Sequence, residues 1–345
     1  MSNKYCRILI FFFCFSAYSQ NKTNLNLINR VSEDSLKKYE YTLASELFGG
    51  RKTHTNKGLL TSEYISDKFR SNGLKAPFGQ SYAQIISNIP KLLHTTQAIN
   101  DEKISNSLNN VSEHNFAAQN IIGILRGRNA GETHLVITAH HDHMGRSEDG
   151  ILYGADDNGS GISALIEVSR ILCEAAKQGI RPKRTIVFVS TDAEEKKLVG
   201  SEYYVNNPVL PISKTYCNVN FDMIGRIDST HLVSKNLNNY IYCIYKDTTN
   251  QVLNDSYLNN LNDKSTQLML DERYENEAVS TVPYSLITRS DHYPFMKKGI
   301  PSIWFFSGFH DDYHQTTDTA DKICYPELKR RVQFVLTLIW NLANK

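Results

Sequence analysis

Downstream of residue 120, short apolar runs alternate with stretches of helical periodicity. His134–Ala139, Thr185–Ser190, Val219–Phe221 and Ser302–Phe306 are short, largely apolar runs and read as buried strands. Between the first two lies Gly159–Gly179, with Ile162, Leu165, Ile166, Ile171, Leu172, Ala175 and Ala176 at helical spacing. Pro326 opens a last helix that carries Val332, Val335, Ile339 and Leu342 on one face. This alternation predicts an α/β fold, a three-layer α/β/α sandwich around a mixed, mostly parallel central sheet.

Residues 24–120 are rich in Asn and Ser and read as helices and loops. Within them, Ser62–Gly73 is expected to be helical, with Tyr64, Ile65, Phe69 and Leu74 sharing a face and Gly73 as the stop. Ser229–Thr281 is polar and Asn-rich and reads as an excursion from the core. At the start of the chain, Lys4 and Arg7 precede the apolar run Ile8–Phe15, and Ala17-Tyr18-Ser19 offers small residues for a peptidase. That order of basic, apolar and cleavable segments predicts a signal peptide over residues 1–19, too short to span a bilayer. Residues 20–345 are expected to form one domain, with a helical and loop part at 20–120 and the α/β core at 121–345.

Composition narrows the function. Lys and Arg total 38 against 36 for Asp and Glu, so no field favours nucleic acid, and the 41% hydrophobic content excludes a disordered chain. Cleavage of the leader would remove Cys6 and Cys14 and leave Cys173, Cys217, Cys243 and Cys324, with no C-x-x-C pair. Cys173 and Cys217 lie in apolar stretches and are expected to be buried small hydrophobes. A soluble protein, exported to a periplasm or the outside and free of stable membrane insertion, is the expectation.

Chemistry concentrates where the strands end. His140-His141-Asp142-His143 follows the first strand, and Asp156-Asp157-Asn158 precedes the long helix. Glu194-Glu195 follows the second strand, Asp222 ends the third, and Tyr313-His314 comes after the fourth. Ligands of open α/β sheets gather outside the carboxyl ends of strands, so these segments can converge. Imidazoles and carboxylates are zinc ligands. Two zinc ions about 3.5–4 Å apart can share a carboxylate and a water. Asp157, Glu195 and Asp222, two neutral imidazoles and one hydroxide would balance two divalent cations, leaving Glu194 as a base. Each motif has a plainer reading taken alone: Asp157-Asn158 as a helix N-cap, Glu194-Glu195 as carboxylates on a helix dipole.

The ordered set Ala139-His140-His141-Asp142-His143-Met144-Gly145, Gly154-Ala155-Asp156-Asp157-Asn158-Gly159-Ser160-Gly161, Ala193-Glu194-Glu195, Asn220-Phe221-Asp222-Met223-Ile224-Gly225-Arg226, Ser290-Asp291-His292-Tyr293-Pro294-Phe295 and Tyr313-His314 resembles the M28 family of zinc aminopeptidases. The similarity begins near residue 42, includes Phe48-Gly49-Gly50-Arg51 and reaches the last helix. It implies a zinc-peptidase domain with two zinc ions per chain and peptide substrates. His140, Asp157 and Asp222 would hold one ion; Asp157, Glu195 and His314 the other, with Asp157 bridging. Asp142 would orient His140 from behind. Glu194 would take a proton from the bridging water and deliver it to the leaving amine. Tyr313 matches a position that hydrogen-bonds the oxyanion in some members. His292 belongs to a segment that lines the family's pocket and would stand behind the ligands. His141 and His143 read as pocket or packing residues. Lys196-Lys197 departs from the small or apolar residues usual there, at no ligand position.

Other readings fall short on the residues. Gly159-Ser160-Gly161-Ile162-Ser163-Ala164 matches a dinucleotide fingerprint, but two aspartates precede it where a pyrophosphate needs positive potential. No G-x-S-x-G elbow and no H-E-x-x-H helix occurs. A glutaminyl-peptide cyclotransferase on the same scaffold, with one zinc, is the nearest alternative; a catalytically inactive peptide-binding homologue is another, disfavoured because every expected ligand is present.

Overall fold

The computed structural model describes residues 26–86, 118–129, 131–232, 239–245, 252–271, 273–275 and 286–345. The expected leader, residues 1–19, lies outside the described residues. The strands are β1 (Ala83–Ile86), β2 (Ala118–Leu125), β3 (His134–His140), β4 (Gly145–Ser147), β5 (Gly150–Leu152), β6 (Thr185–Thr191), β7 (Thr215–Phe221), β8 (Tyr240–Ile244), β9 (Met269–Asp271) and β10 (Ser302–Phe306). Eight of them form one sheet in the order β1-β2-β6-β3-β7-β10-β8-β9, and β4 pairs with β5 apart from it. The centre, β6-β3-β7-β10, is parallel; β1, β2 and the β10–β8 junction are antiparallel.

Three of the four central strands, β3, β6 and β10, serve two cores at once. On β3, Leu135 and Ile137 point into the larger cluster, and Val136 between them points into the smaller one. Alternate residues of a strand face opposite sides, so a continuous apolar run is what a sheet covered twice requires. The larger cluster packs helices Glu33–Leu43, Asn56–Asn72, Gly161–Lys177 and Tyr325–Asn344 on one face. The smaller buries Tyr204, Val205 and Phe295 from helices Val199–Asn206 and His292–Lys297 on the other. This is the expected sandwich. Cys173 and Cys217 are buried in the larger core as free thiols. Among the described residues, no helix is long and apolar enough to cross a membrane.

Several boundaries move. The helix expected over 62–73 begins earlier, at Asn56, because the Thr55 side chain accepts from the Gly58 amide and caps it there. Gly73 ends it with φ 98°, as its lack of a Cβ allows. The helix expected from Gly159 starts at Gly161, after a wide turn over Ala155–Ser160. Residues 24–120 are not only helices and loops. They supply β1 and the start of β2, whose apolar, isoleucine-rich run is buried on both faces. The polar excursion after Ser229 also holds two strands: β8 adds to β10 and β9 to β8, with helix Asp255–Asp263 between them. Their apolar segments are only a few residues long and vanish in an Asn-rich context.

One buried group makes the fold acid-sensitive. His134 opens β3, its Nε2 lies 3.0 Å from the Thr215 hydroxyl, and burial lowers its pKa to about 4. An unfolded histidine titrates near pH ~6.5, so the unfolded chain takes up this proton first and stability falls as pH drops from ~6.5 toward 4. Between pH ~7.5 and ~5, His134→Gln should lose on the order of 1–2 kcal/mol less stability than the parent in urea unfolding. Equal losses in the two proteins would clear His134 of that role.

Candidate metal centre

The sheet delivers its polar residues to one rim. β3 ends at His140, β6 runs into Glu194 and Glu195, β7 stops before Asp222, and β10 leads through a loop to Tyr313 and His314. All four strands are parallel, so all four carboxyl ends lie on the same side. Asp157 joins them from the wide turn between β5 and helix Gly161–Lys177.

Two groups of metal-capable donors meet there, each with its ligand atoms within 4.8 Å of one another. One is His140, Glu194 and Asp222; the other is His143, Asp157 and Glu195. Asp157, a member of the second group, reaches the first as well, and His314 stands outside both groups but against Asp157. Asp157 Oδ1 lies 3.4 Å from His140 Nε2, and its Oδ2 lies 3.0 Å from His314 Nε2. His140 Nε2 also lies 3.3 Å from Asp222 Oδ1, and His314 Nε2 3.7 Å from Glu195 Oε1. Every residue expected to bind metal is therefore at the rim. His143 joins them too, with Nδ1 2.9 Å from Glu195 Oε1, where the sequence pointed to a pocket or packing residue.

Charge explains why these carboxylates want a cation. Burial pushes the Glu194 carboxyl well above its ordinary range, with the charges of Glu195 and Asp222 adding to it, and burial raises Asp222 as well. Burial also works against ionised Asp157, but the hydrogen bond from His314 and the charges of His143 and His140 outweigh it and hold that carboxyl below the usual range. Buried carboxylates packed this closely are costly without a compensating cation. Imidazole and carboxylate donors in groups of three or four match zinc.

Support comes from behind. The carboxylate of Asp142, fully buried, accepts from the backbone N–H groups of Glu194 (3.0 Å) and Glu195 (3.3 Å), and its own backbone carbonyl lies 3.2 Å from His140 Nδ1. It thus orients both glutamates as well as the histidine. Asp318 accepts from the backbone N–H groups of Asp156 and Asp157. Asn158 caps the helix by accepting from the Gly161 N–H, so the plainer reading of this pair holds for Asn158 while Asp157 turns to the rim. Ala193, Met223 and His314 have φ of 57°, 55° and 56°, a backbone region that costs non-glycine residues energy and collects at functional sites. Gly154, also at positive φ, could not be replaced cheaply: a Cβ there would meet the Asp157 carbonyl oxygen at 2.2 Å.

Arg51 ties these loops together from the N-terminal part of the chain. Its guanidinium is fully buried and donates to the carbonyls of His141 (3.0 Å), Leu43 (3.1 Å), Tyr153 (2.7 Å), Gly154 (2.7 Å) and Asp157 (3.2 Å). Arg51→Met would strand those carbonyls and is expected to cost on the order of 3–5 kcal/mol in denaturant unfolding. Arg51→Lys keeps the charge but not the planar fork, and should fold while binding zinc about 10–100-fold more weakly. Wild-type zinc affinity in folded Arg51→Lys would reduce Arg51 to a purely structural bolt.

The rim opens into a cleft of about 360 Å³, lined by His140, Asp157, Glu194, Glu195 and Asp222 on one side and by Met223, Arg289, Trp304, Phe306, Phe309 and Tyr313 around them. Tyr313 stacks on His314, with ring centroids 3.8 Å apart. Burial and the surrounding carboxylates raise its pKa, so the phenol keeps its proton. His292 does not line the cleft; it is fully buried behind Trp304, its ring 5.4 Å away, and burial lowers its pKa to about 3. His141 is likewise buried away from the rim, against Ser190 and Ser62. Arg289 and the aromatic wall escaped the sequence, although Arg289 directly precedes the Ser290-Asp291-His292 motif.

Residues 120–339 match the model of peptidase family M28. The chain belongs to that family. Among curated M28-like relatives, aminopeptidase YwaD of Bacillus subtilis is 27% identical over 67% of this chain and 46% of its own length. The chain spans less than half the length of the first relatives it matches. In fold, it is similar to BSAP, a zinc aminopeptidase from Bacillus subtilis, with TM-score 0.63, 17% identity, and coverage of 91% of this chain and 96% of that one. A glutaminyl cyclase from Bacteroides thetaiotaomicron, bound to N-acetylhistamine, superposes with TM-score 0.61 at 19% identity, covering 90% of this chain and 98% of that one. The M28 match runs from β2 to the last helix and so contains every donor of the two groups.

Proposed function

We propose that this M28 protein is an exported, zinc-dependent exopeptidase that hydrolyses amino-terminal residues from peptides and holds two zinc ions per chain. The observation that carries it is Asp157, whose Oδ1 faces His140 and whose Oδ2 faces His314. His140, Asp157 and Asp222 would hold one ion; Asp157, Glu195 and His314 the other, with His143 within reach of the second. Zinc, when bound, polarises the scissile carbonyl and makes water acidic enough to attack it near neutral pH.

The chain's own residues do the rest. Glu194 takes the proton of the attacking water on a carboxylate oxygen and passes it to the departing amine as the C–N bond breaks. Its raised proton affinity, from burial among carboxylates, suits a group that must hold a proton in transit. The Tyr313 phenol donates a hydrogen bond to the oxygen that gains negative charge. Trp304, Phe306 and Phe309 present an apolar wall that keeps bulk water from the reacting bond. Export is supported by the basic, apolar and cleavable segments of residues 1–19.

The test uses the protein from residue 20 onward with a mixed peptide library, read by product mass before chelation, after it, and after zinc is restored. Stepwise loss of amino-terminal residues that follows zinc is the expected result. Loss of ammonia or water from peptides starting with Gln or Glu would transfer the site to the cyclase reading, which the fold of the glutaminyl cyclase favours. Unaltered peptides throughout would sink both enzymatic readings.

A further inference from the structure

A buried polar network stands behind the aromatic wall of the cleft, apart from both donor groups of the metal centre. Asp228 immediately precedes the Asn-rich excursion and His231 opens it; both are almost fully buried. Asp228 Oδ1 lies 2.6 Å from His231 Nδ1 and accepts from the His231 backbone N–H at 3.0 Å. Asp228 Oδ2 accepts from the Tyr242 hydroxyl at 2.6 Å. The His231 ring stacks face to face on Tyr240, with centroids 3.4 Å apart, and its Nε2 lies 3.4 Å from Asp271 Oδ2. Tyr240 and Tyr242 belong to β8 and Asp271 to β9, so the strands of the excursion close the network. Buried polar groups are costly unless partnered, and a connected set of them fixes one geometry.

The network grips the chain segment that carries the wall. The Tyr240 hydroxyl accepts from the Asp228 N–H at 2.8 Å and donates to the Ser307 carbonyl. A Cβ on Gly308 would meet Asp228 Oδ2 at 2.4 Å, so the carboxylate sits directly against the backbone between Phe306 and Phe309. Tyr242 and Tyr274 pack on Phe306 with centroids 6.1 and 5.8 Å away. Phe306 and Phe309 both line the cleft and meet edge to face at 5.1 Å. Ser307 in turn donates its N–H to the carbonyl of Met223, which lines the same cleft and directly follows Asp222. The wall is thus held at a set distance from the metal centre by Asp228, Tyr240 and Tyr242, none of which lines the cleft itself.

We infer that the network of Asp228, His231 and Tyr242 positions the aromatic wall and so sets which first side chain the protein accepts. Asp228 is a positioning residue: it acts through Gly308 on Phe306 and Phe309. The inference rests on the peptidase reading and deepens it, giving the excursion a task in selectivity. Trp304, Phe306 and Phe309 present an apolar surface, so the side chain that they grip is apolar, and discrimination depends on how closely the wall fits it.

Tyr242→Phe removes only the hydroxyl that holds Asp228 Oδ2, and Asp228→Asn keeps the side chain's shape without its charge. Each variant and the double variant are compared with the zinc-loaded parent on Ala-Gly amide, Leu-Gly amide and Phe-Gly amide, which share one leaving group. The parent should favour Leu or Phe over Ala by about tenfold or more in kcat/KM. In both single variants that ratio should fall by about three- to tenfold, mainly through KM of the larger residue, with zinc per chain unchanged. The double variant should fall no further than the stronger single one, because both act on the same pair. A network that served stability alone would lower Tm and leave the ratio untouched. Should Asp228→Asn not fold, Tyr242→Phe carries the test, since it deletes one hydroxyl. Parental ratios in every folded variant, a parent without preference, or losses that multiply in the double variant overturn the inference and leave the peptidase reading intact. No turnover of these three peptides, nor of the mixed library, removes the peptidase reading and the inference with it.

Discussion

Glu194→Gln is expected to lower kcat by about 10²–10⁴-fold while zinc content stays at the wild-type level. The substitution keeps the shape of the side chain and removes its ability to accept and return a proton. Glu194 stands in the donor group with His140 and Asp222, so its geometry alone admits either a base or a metal ligand. Metal analysis separates the two. Activity and zinc falling together would make Glu194 a ligand, and turnover near wild type would remove it as the base. A folded protein is expected in either case, because the burial that raises the Glu194 carboxyl makes a neutral amide easy to accommodate. The Glu194 backbone N–H keeps its bond to Asp142, so the neighbouring Glu195 should hold its place.

Asp157→Ala should empty both metal positions together and abolish turnover. The reason is geometric: one carboxylate faces His140 through Oδ1 and His314 through Oδ2, so its removal withdraws a donor from each side. Zinc per chain, measured after dialysis against a buffer with trace zinc, should fall from the proposed two to near zero. Retention of one fully occupied site would count against a bridging role and favour two independent groups. Thermal unfolding supplies a control. With the metal removed from both proteins, the variant should be modestly less stable than the parent, since the His314 hydrogen bond and the charges of His143 and His140 favour the ionised Asp157 carboxylate in the folded chain. In zinc it should lose the stabilisation that ligand binding gives the parent.

The chain's local chemistry made a large part of this legible. Short, largely apolar runs marked β3, β6, β7 and β10 because strands covered on both faces need little polar alternation, and those four strands carry the rim. His140, Asp157, Glu194, Glu195, Asp222 and His314 stood out because each sits where a strand or turn stops, and they could be assigned because those segments resemble the M28 motifs. β1, β8 and β9 were not legible. They are short, lie toward the edges of the sheet, and take their strand character from the neighbour they pair with rather than from their own residues.

By itself the sequence determined the α/β order of elements, the donor types at the strand ends and the family, since periodicity and motif spacing are properties of the chain read one segment at a time. Only the tertiary structure decided which donors share a group, that His143 belongs beside Glu195 while His292 retreats behind Trp304, and that Arg51 clamps loops a hundred residues away. It also brought Arg289 and the aromatic wall around the same cleft. Those facts depend on distances between segments far apart in the chain. Such distances are set by how the sheet twists and the helices pack, and no local pattern encodes them.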